Sequence, residues 1–308
     1  MNLKKPKFWD YKKPNYLAYL LFPISLLITS LTNFFNKPDK NQFKIKTICI
    51  GNFYVGGTGK TSLSIKIKKI LDKKNIKSCF IKKSYKNQID EQKILKNNGK
   101  LFLSDDRVDA IKQAESENYE IAILDDGLQD RKIKYDISFV CFNNLNWIGN
   151  GMTIPAGPLR ENINNLKNYN HIFLNGNFEN IENLKEEIFK INPNINIHIG
   201  KYNPTNLDEF KKDKKYLVFS GIGNHNTFVS MIKKVELNVI KEIEFPDHYE
   251  YTDKDLNFIL KEADKLTCEI ITTEKDFLRI DNPNLYKIKI MKSELTMLDE
   301  NKLINFLI

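Results

Sequence analysis

Lys60 and Thr61 follow three glycines in the run Val55-Gly56-Gly57-Thr58-Gly59-Lys60-Thr61, and the chemistry these residue types can do is triphosphate binding. Backbone N–H groups at a helix start can surround phosphate oxygens only where side chains leave the approach open, which glycines do. Lys60 can then reach the β- and γ-phosphates, and the Thr61 hydroxyl is placed to ligate Mg²⁺. The strict phosphate-loop pattern has its first glycine five residues before Gly59, where Tyr54 stands, so this is a Gly-Gly-Thr-Gly-Lys-Thr variant. The candidate nucleotide-binding set is Tyr54, Val55, Gly56, Gly57, Thr58, Gly59, Lys60 and Thr61.

A second group of residues fits the same chemistry. The apolar run Ile121-Ala122-Ile123-Leu124 ends in Asp125-Asp126-Gly127, and a carboxylate at a strand tip can hold Mg²⁺ or its waters. Thr61, Asp125 and Asp126 are therefore the candidate metal residues. In Ile154-Pro155-Ala156-Gly157-Pro158-Leu159-Arg160-Glu161 the prolines and glycine fix a loop. Arg160 offers a planar fork there for a phosphate or carboxylate, with a plain surface arginine as the alternative. Asp90-Glu91 reads as part of a polar loop: solvated surface, or a ligand-facing pair at the carboxyl end of a strand. His248, in Phe245-Pro246-Asp247-His248-Tyr249-Glu250-Tyr251, is by itself an ordinary loop or core histidine.

The elements that must position these groups are legible as alternating apolar patterns. Thr47–Gly51 reads as a strand leading into the glycine loop, and Leu63, Ile67 and Ile70 mark the helix that follows. Ser78–Ile81, Ile121–Leu124, Ile137–Phe142 and Ile172–Leu174 read as further strands of the same sheet. The asparagine-rich stretch Asn175 to Asn206 reads as an inter-domain region, after which strand signals resume at Tyr216–Phe219 and Glu269–Thr273. The expectation is an α/β fold: a P-loop NTPase-type domain over 36–210 and a second, smaller α/β domain over 211–308.

With 308 residues and 41% hydrophobic content the chain can bury an ordinary core. A formal net charge of +9 allows an anionic partner. Lysine and asparagine abound throughout, as an AT-rich genome produces, so charge alone selects no nucleic-acid role. Cys49, Cys79, Cys141 and Cys268 are widely separated, as are His171, His198, His225 and His248, and neither set has metal-ligand spacing.

Lysines lead the chain, and Tyr16 to Phe35 then carries no charge. At about 1.5 Å per residue such a helix is long enough to cross a roughly 30 Å hydrocarbon layer. It has no small-residue cleavage site. Pro23 reads as a helix start, from which Ile24, Leu27, Ile28, Leu31 and Phe35 share a face while Ser25, Thr29, Thr32 and Asn33 fall away from it. Lysines flank both ends, without the asymmetry of a single span. The segment 1–35 is thus expected to be a membrane-associated helix lying in or partly inserted into the interface, with a true span and a buried soluble helix as alternatives.

Taken together and in order, Val55–Thr61, Asp125-Asp126-Gly127-Leu128-Gln129, Pro155–Glu161, Gly221-Ile222-Gly223-Asn224, Asp247-His248 with Tyr251, and Thr273-Glu274-Lys275-Asp276 resemble the tetraacyldisaccharide 4'-kinases. The resemblance implies transfer of the γ-phosphoryl group of ATP, with Mg²⁺, to the 4'-hydroxyl of an acylated glucosamine disaccharide 1-phosphate, giving lipid IVA. It further implies a site in the cleft between the domains, contact with membrane lipids at the cytoplasmic face of the bacterial inner membrane, and no nucleic-acid or protein partner. Residue by residue it implies that Asp90, assisted by His248, acts on the acceptor hydroxyl; beside them Lys60 is the β/γ-phosphate contact and Arg160 a candidate for binding acceptor or nucleotide phosphates. Lys82-Lys83-Ser84-Tyr85-Lys86 stands where that family has Ser-Arg-Gly-Tyr-Gly, and Asp130 where it has histidine.

Other functional classes remain open at this stage. A membrane-associated P-loop ATPase switch acting on a partner protein would carry a similar glycine loop and anchor, although it leaves Asp247-His248 and the Pro-Ala-Gly-Pro-Leu-Arg loop unexplained. A soluble small-molecule kinase would have no need of the residues before Asn36.

Overall fold

The computed structural model describes residues 5–35, 41–85, 88–130, 132–176, 181–281 and 287–308. In chain order the elements are α1 (Tyr16–Phe35), β1 (Lys46–Gly51), α2 (Lys60–Lys73), β2 (Ser78–Lys83), α3 (Ile89–Asn97), β3 (Leu101–Ser104), α4 (Arg107–Ser116), β4 (Ile121–Asp125) and β5 (Ile137–Asn143). There follow β6 (His171–Asn175), α5 (Ile181–Ile191), β7 (Asn196–Pro204), β8 (Lys215–Ser220), α6 (His225–Lys234), β9 (Asn238–Glu244), α7 (Asp253–Leu266), β10 (Glu269–Thr273), α8 (Glu274–Phe277), β11 (Ile288–Met291), β12 (Ser293–Met297) and α9 (Glu300–Leu307).

The chain forms two compact units from interleaved segments. Among the described residues, the larger comprises Lys5–Lys86, Leu95–Lys201 and Met297–Ile308, and the smaller Asn87–Ile94 and Tyr202–Thr296. The stretch Asn175 to Asn206 holds α5 and β7, and the division between Lys201 and Tyr202 falls within it. Leu184 and Ile188 on α5 are buried, which gives that asparagine-rich segment the apolar stripe a packed helix needs.

In the larger unit the sheet order runs β7-β6-β5-β1-β4-β2-β3, with β12 beside β7 where the chain passes from one unit to the other. Its central pairings are parallel, so connecting helices cover both faces, and β1 and β4 read as nearly continuous apolar runs. Ile48, Cys49, Ile50, Ile123 and Leu124 are completely buried. Register places Ile50 beside Asp125 and Ile81 beside Leu124, so β1, β2 and β4 end together. Their carboxyl ends are where an open parallel sheet binds ligands.

The smaller unit has a parallel sheet of order β11-β10-β8-β9. Val218 and Ile271 pack toward α6 through Phe228 and Ile232, while Leu217 and Ile270 pack toward α7 through Leu256 and Ile259. Thr252 and Asp255 form a reciprocal capping box that fixes the start of α7.

Helix α1 starts at Tyr16, capped by Asn15 Oδ1 accepting from the Ala18 N–H at 3.0 Å, and Pro23 lies inside it. The expected start at Pro23 is therefore corrected: proline removes one helical N–H, and the turns on either side persist. Of the polar stripe, Ser25 faces the protein. Ser25 is completely buried, donating to the Thr153 carbonyl at 2.9 Å and accepting from the Ala156 N–H at 3.0 Å. Tyr16, Tyr19, Leu20, Leu26, Leu27 and Leu31 are exposed. Among the described residues no helix is long and apolar enough to cross a membrane.

Candidate active site

In the larger unit, the turn from β1 into α2 is the phosphate loop. Gly59 caps α2 with φ 81°, a left-handed conformation that glycine takes without a Cβ penalty, and Lys60 opens the helix. Asn52 holds the loop from beneath, its side-chain amide donating to Thr58 Oγ1 at 2.9 Å and to the Tyr54 carbonyl at 2.5 Å. The Pro-Ala-Gly-Pro-Leu-Arg segment braces it from the side: Val55 N–H donates to the Pro158 carbonyl at 2.9 Å and Arg160 N–H to the Phe53 carbonyl at 2.6 Å. Tyr54, at the position of the missing glycine, turns inward and is buried. Its hydroxyl bonds to the Asp10 carboxylate and accepts from Lys5 Nζ at 2.9 Å. This tie to the segment before α1 accounts for a large side chain where the strict motif has none.

Asp125 ends β4, completely buried, with Thr61 Oγ1 3.4 Å from its Oδ2 and Ser64 Oγ 3.2 Å from its Oδ1. The next residue, Asp126, has φ 61° and takes a different set of partners. Its Oδ1 lies 3.8 Å from Lys60 Nζ and 3.0 Å from Arg160 Nη1, and its carbonyl accepts from Arg107 Nη2 at 2.6 Å. Lys60, Thr61, Asp125, Asp126 and Arg160 are thus one cluster at the sheet's carboxyl end. Among the described residues no group of three or more His, Cys, Asp or Glu side chains could hold a metal by itself. One hydroxyl and adjacent carboxylates are hard oxygen donors that fit Mg²⁺ arriving with nucleotide phosphates, since that ion keeps several non-protein ligands.

The smaller unit gathers Asp90, His248 and Arg279. Asp90 lies in the first turn of α3, not in a loop, and is buried. Arg279 donates to Asp90 Oδ2 from Nη2 at 2.5 Å and from Nε at 3.2 Å, and His248 Nδ1 lies 3.5 Å from Oδ1. Burial alone would raise the Asp90 pKa, but the His248 contact and the Arg279 guanidinium outweigh it and hold the carboxyl well below the usual range. Arg279 Nη1 also donates to the Gly221 carbonyl at 2.7 Å and to Asp276 Oδ1 at 3.1 Å.

Asp276 is the hub behind that contact. It accepts from Gly221 N–H at 2.9 Å, Tyr251 Oη at 2.9 Å and Thr273 Oγ1 at 2.6 Å, and burial still pushes its carboxyl pKa up. Gly221 is required by close approach, because a Cβ there would meet the Pro246 carbonyl, Tyr249 and Tyr251 at 3.0 Å. That approach seats the Pro246–Tyr251 turn, in which His248 adopts φ 56° with its N–H on the Gly221 carbonyl at 3.0 Å. Alongside Asp90, Glu91 accepts from Lys275 Nζ at 2.8 Å.

Sequence reasoning passed over Ser64, Lys82, Arg107 and Arg279. Ser64 is one turn beyond Lys60 on α2, and Arg279 one turn beyond Asp276, so helical spacing carries a signal for each. Lys82 Nζ lies 2.7 Å from Asp125 Oδ2 because neighbouring strand tips are in register, which a strand pairing would have revealed. Arg107 pairs with Asp130 at 3.3 Å, where a histidine was expected from the resemblance; nothing local in the sequence marks that pairing.

A family model described as tetraacyldisaccharide-1-P 4'-kinase matches residues 17–308, spanning both clusters. A tetraacyldisaccharide 4'-kinase of Pelagibacter ubique is 59% identical over 308 residues, covering 100% of this chain and 98% of the relative. One from Rickettsia canadensis is 32% identical, covering 95% and 98% respectively. The crystal structure of LpxK from Aquifex aeolicus in complex with ATP shares the fold, with a TM-score of 0.67, 22% identity, and coverage of 94% of this chain and 98% of that one. With a family model matched over nearly the whole chain and relatives of 59% and 32% identity, the chain belongs to the tetraacyldisaccharide-1-phosphate 4'-kinase family.

Proposed function

We propose that this protein transfers the γ-phosphoryl group of ATP to the 4'-hydroxyl of a tetraacylated glucosamine disaccharide 1-phosphate, giving lipid IVA. The observation that carries this reading is the pairing of a braced phosphate loop with a distinct Asp90-His248-Arg279 cluster, in a chain whose relatives bear that activity in their names. In the larger unit Gly56 to Gly59 cradle the phosphates, with Tyr54 and Val55 fixing the loop's entry. Lys60 and Arg160 carry positive charge toward the transferring group, and Asp126 keeps both in place. Mg²⁺, held through Thr61 with Asp125 and Asp126, would supply charge neutralisation at the phosphate oxygens.

Phosphoryl transfer demands positioning and charge stabilisation more than proton abstraction. That suits Asp90, which Arg279 makes a weak base but a well-oriented hydrogen-bond acceptor for the attacking hydroxyl. His248 then supports the carboxylate and can take the proton onward. On this reading the nucleotide groups belong to the larger unit and the acceptor groups to the smaller.

Helix α1 is assigned to the cytoplasmic face of the inner membrane, lying in its interface. Ser25 is bonded to the protein while Tyr16, Tyr19, Leu20, Leu26, Leu27 and Leu31 are exposed, so that apolar side is free to enter the acyl boundary beside the acceptor. The test is product analysis: mass spectrometry and ³¹P NMR of a tetraacylated disaccharide 1-phosphate incubated with ATP and the full chain. A second phosphate at the 4' position is expected; an unmodified acceptor, or phosphate elsewhere, would refute the assignment.

A further inference from the structure

Within the larger unit, the ammonium of Lys82 and the carboxylate of Asp125 form an ion pair of 2.7 Å whose side chains are 1% and 0% exposed. Parallel pairing of β2 with β4, Ile81 beside Leu124, sets the next residue of each strand at adjoining tips. The rest of the carboxylate is served by hydroxyls: Thr61 at Oδ2 and Ser64 at Oδ1. A buried carboxylate demands a compensating cation, and here the chain itself provides one. The other aspartate is served differently, by Lys60 and Arg160.

We propose that Lys82 is a built-in counter-ion for Asp125, so that the nucleotide-free protein needs no divalent cation at this carboxylate and metal enters the site only together with nucleotide phosphates. Lys82 is on this account a positioning residue. It acts by holding Asp125 beside Thr61. The inference rests on the phosphate-loop reading above but not on the identity of the acceptor.

The experiment uses the nucleotide-free full chain, with Mn²⁺ binding followed by electron paramagnetic resonance and thermal unfolding measured with and without Mg²⁺. Wild type is expected to bind little Mn²⁺ and to melt at the same temperature in either condition. Lys82→Met keeps most of the side chain's length without its charge, and should bind Mn²⁺ at least about tenfold more tightly and regain thermal stability on adding Mg²⁺. If that variant folds only in Mg²⁺, the same conclusion holds. The double variant Lys82→Met with Asp125→Asn removes both charges, and should fold without metal and show no response to Mn²⁺ or Mg²⁺. Wild type binding Mn²⁺ as tightly as Lys82→Met would overturn the proposal, as would a Lys82→Met protein indifferent to both metals. None of these readouts involves catalysis, so a failure of the kinase reading would show separately, as a missing product beside intact metal behaviour.

Discussion

Replacing Arg279 by methionine keeps much of the side chain's bulk and removes the guanidinium that ties Asp90 and Asp276 together. Arg279 and Asp90 are 9% and 3% exposed, so the bonds of 2.5 and 3.2 Å between them are nearly shielded from water. Breaking one side of such a buried pair costs about 3–5 kcal/mol, because the remaining charge is left uncompensated. Asp276 suffers less, as Gly221, Tyr251 and Thr273 still donate to it. The effect should be local, and hydrogen exchange read on peptides from 202–296 is the suitable assay. Protection there should fall by that amount at pH 7, with 95–201 little changed.

The pH dependence has a definite sign. A carboxyl whose folded pKa lies below its unfolded value, here about 3.9, contributes stability above that pH and loses it as pH falls through the folded pKa. Without Arg279, burial is opposed by fewer cations and the Asp90 pKa rises. Acid-induced opening of the smaller unit should therefore begin at higher pH in the variant, and the acid limb of kcat should move the same way. A loss of protection below about 1 kcal/mol, with an unshifted acid limb, would refute the role given to this arginine.

Lys60→Ala should lower kcat by about 10²–10³, the usual effect of deleting one preorganised donor to a charged transition state, in a radiolabelled phosphate-transfer assay. Asp90→Ala should lower kcat far more than it raises KM for ATP, as measured by steady-state kinetics; an unchanged kcat would remove Asp90 from the acceptor side. Leu20→Asp together with Leu27→Asp, both on the exposed face of α1, should cut binding to anionic lipid vesicles by tenfold or more while leaving the melting temperature unchanged, since each buried leucine is worth roughly 1.5–3 kcal/mol. Ser25→Val, by contrast, strands the Ala156 N–H and the Thr153 carbonyl, and should destabilise by about 1–3 kcal/mol in urea titrations.

Much of the nucleotide cluster was legible because its requirements are local. Glycines before Lys60-Thr61 and a strand ending in Asp125 follow from what phosphates and Mg²⁺ need, and the structure puts Lys60, Thr61, Asp125, Asp126 and Arg160 within one cluster. What escaped depends on pairing between distant segments. Asp90 reads as loop because the residues before α3 are polar, yet its helix turn belongs to the unit formed with Tyr202–Thr296, over a hundred residues onward. Lys82 reads as the charged end of a strand until its neighbour β4 is known. The amphipathic division of α1 was visible, but which side faces the protein was not, because Ser25 finds its partners at Thr153 and Ala156. Pro23 misled for a local reason: it favours a helix's first turn without forbidding an earlier one.

The central claim, that the phosphate loop serves a lipid-linked hydroxyl, is tested most directly by counting ADP released against phosphorylated glycolipid formed in one reaction with and without acceptor. One phosphorylated acceptor is expected for each ADP, and almost no ADP when the acceptor is omitted. Steady ADP release indifferent to the acceptor, or raised only by an added protein, would contradict it and point to a nucleotide-driven switch.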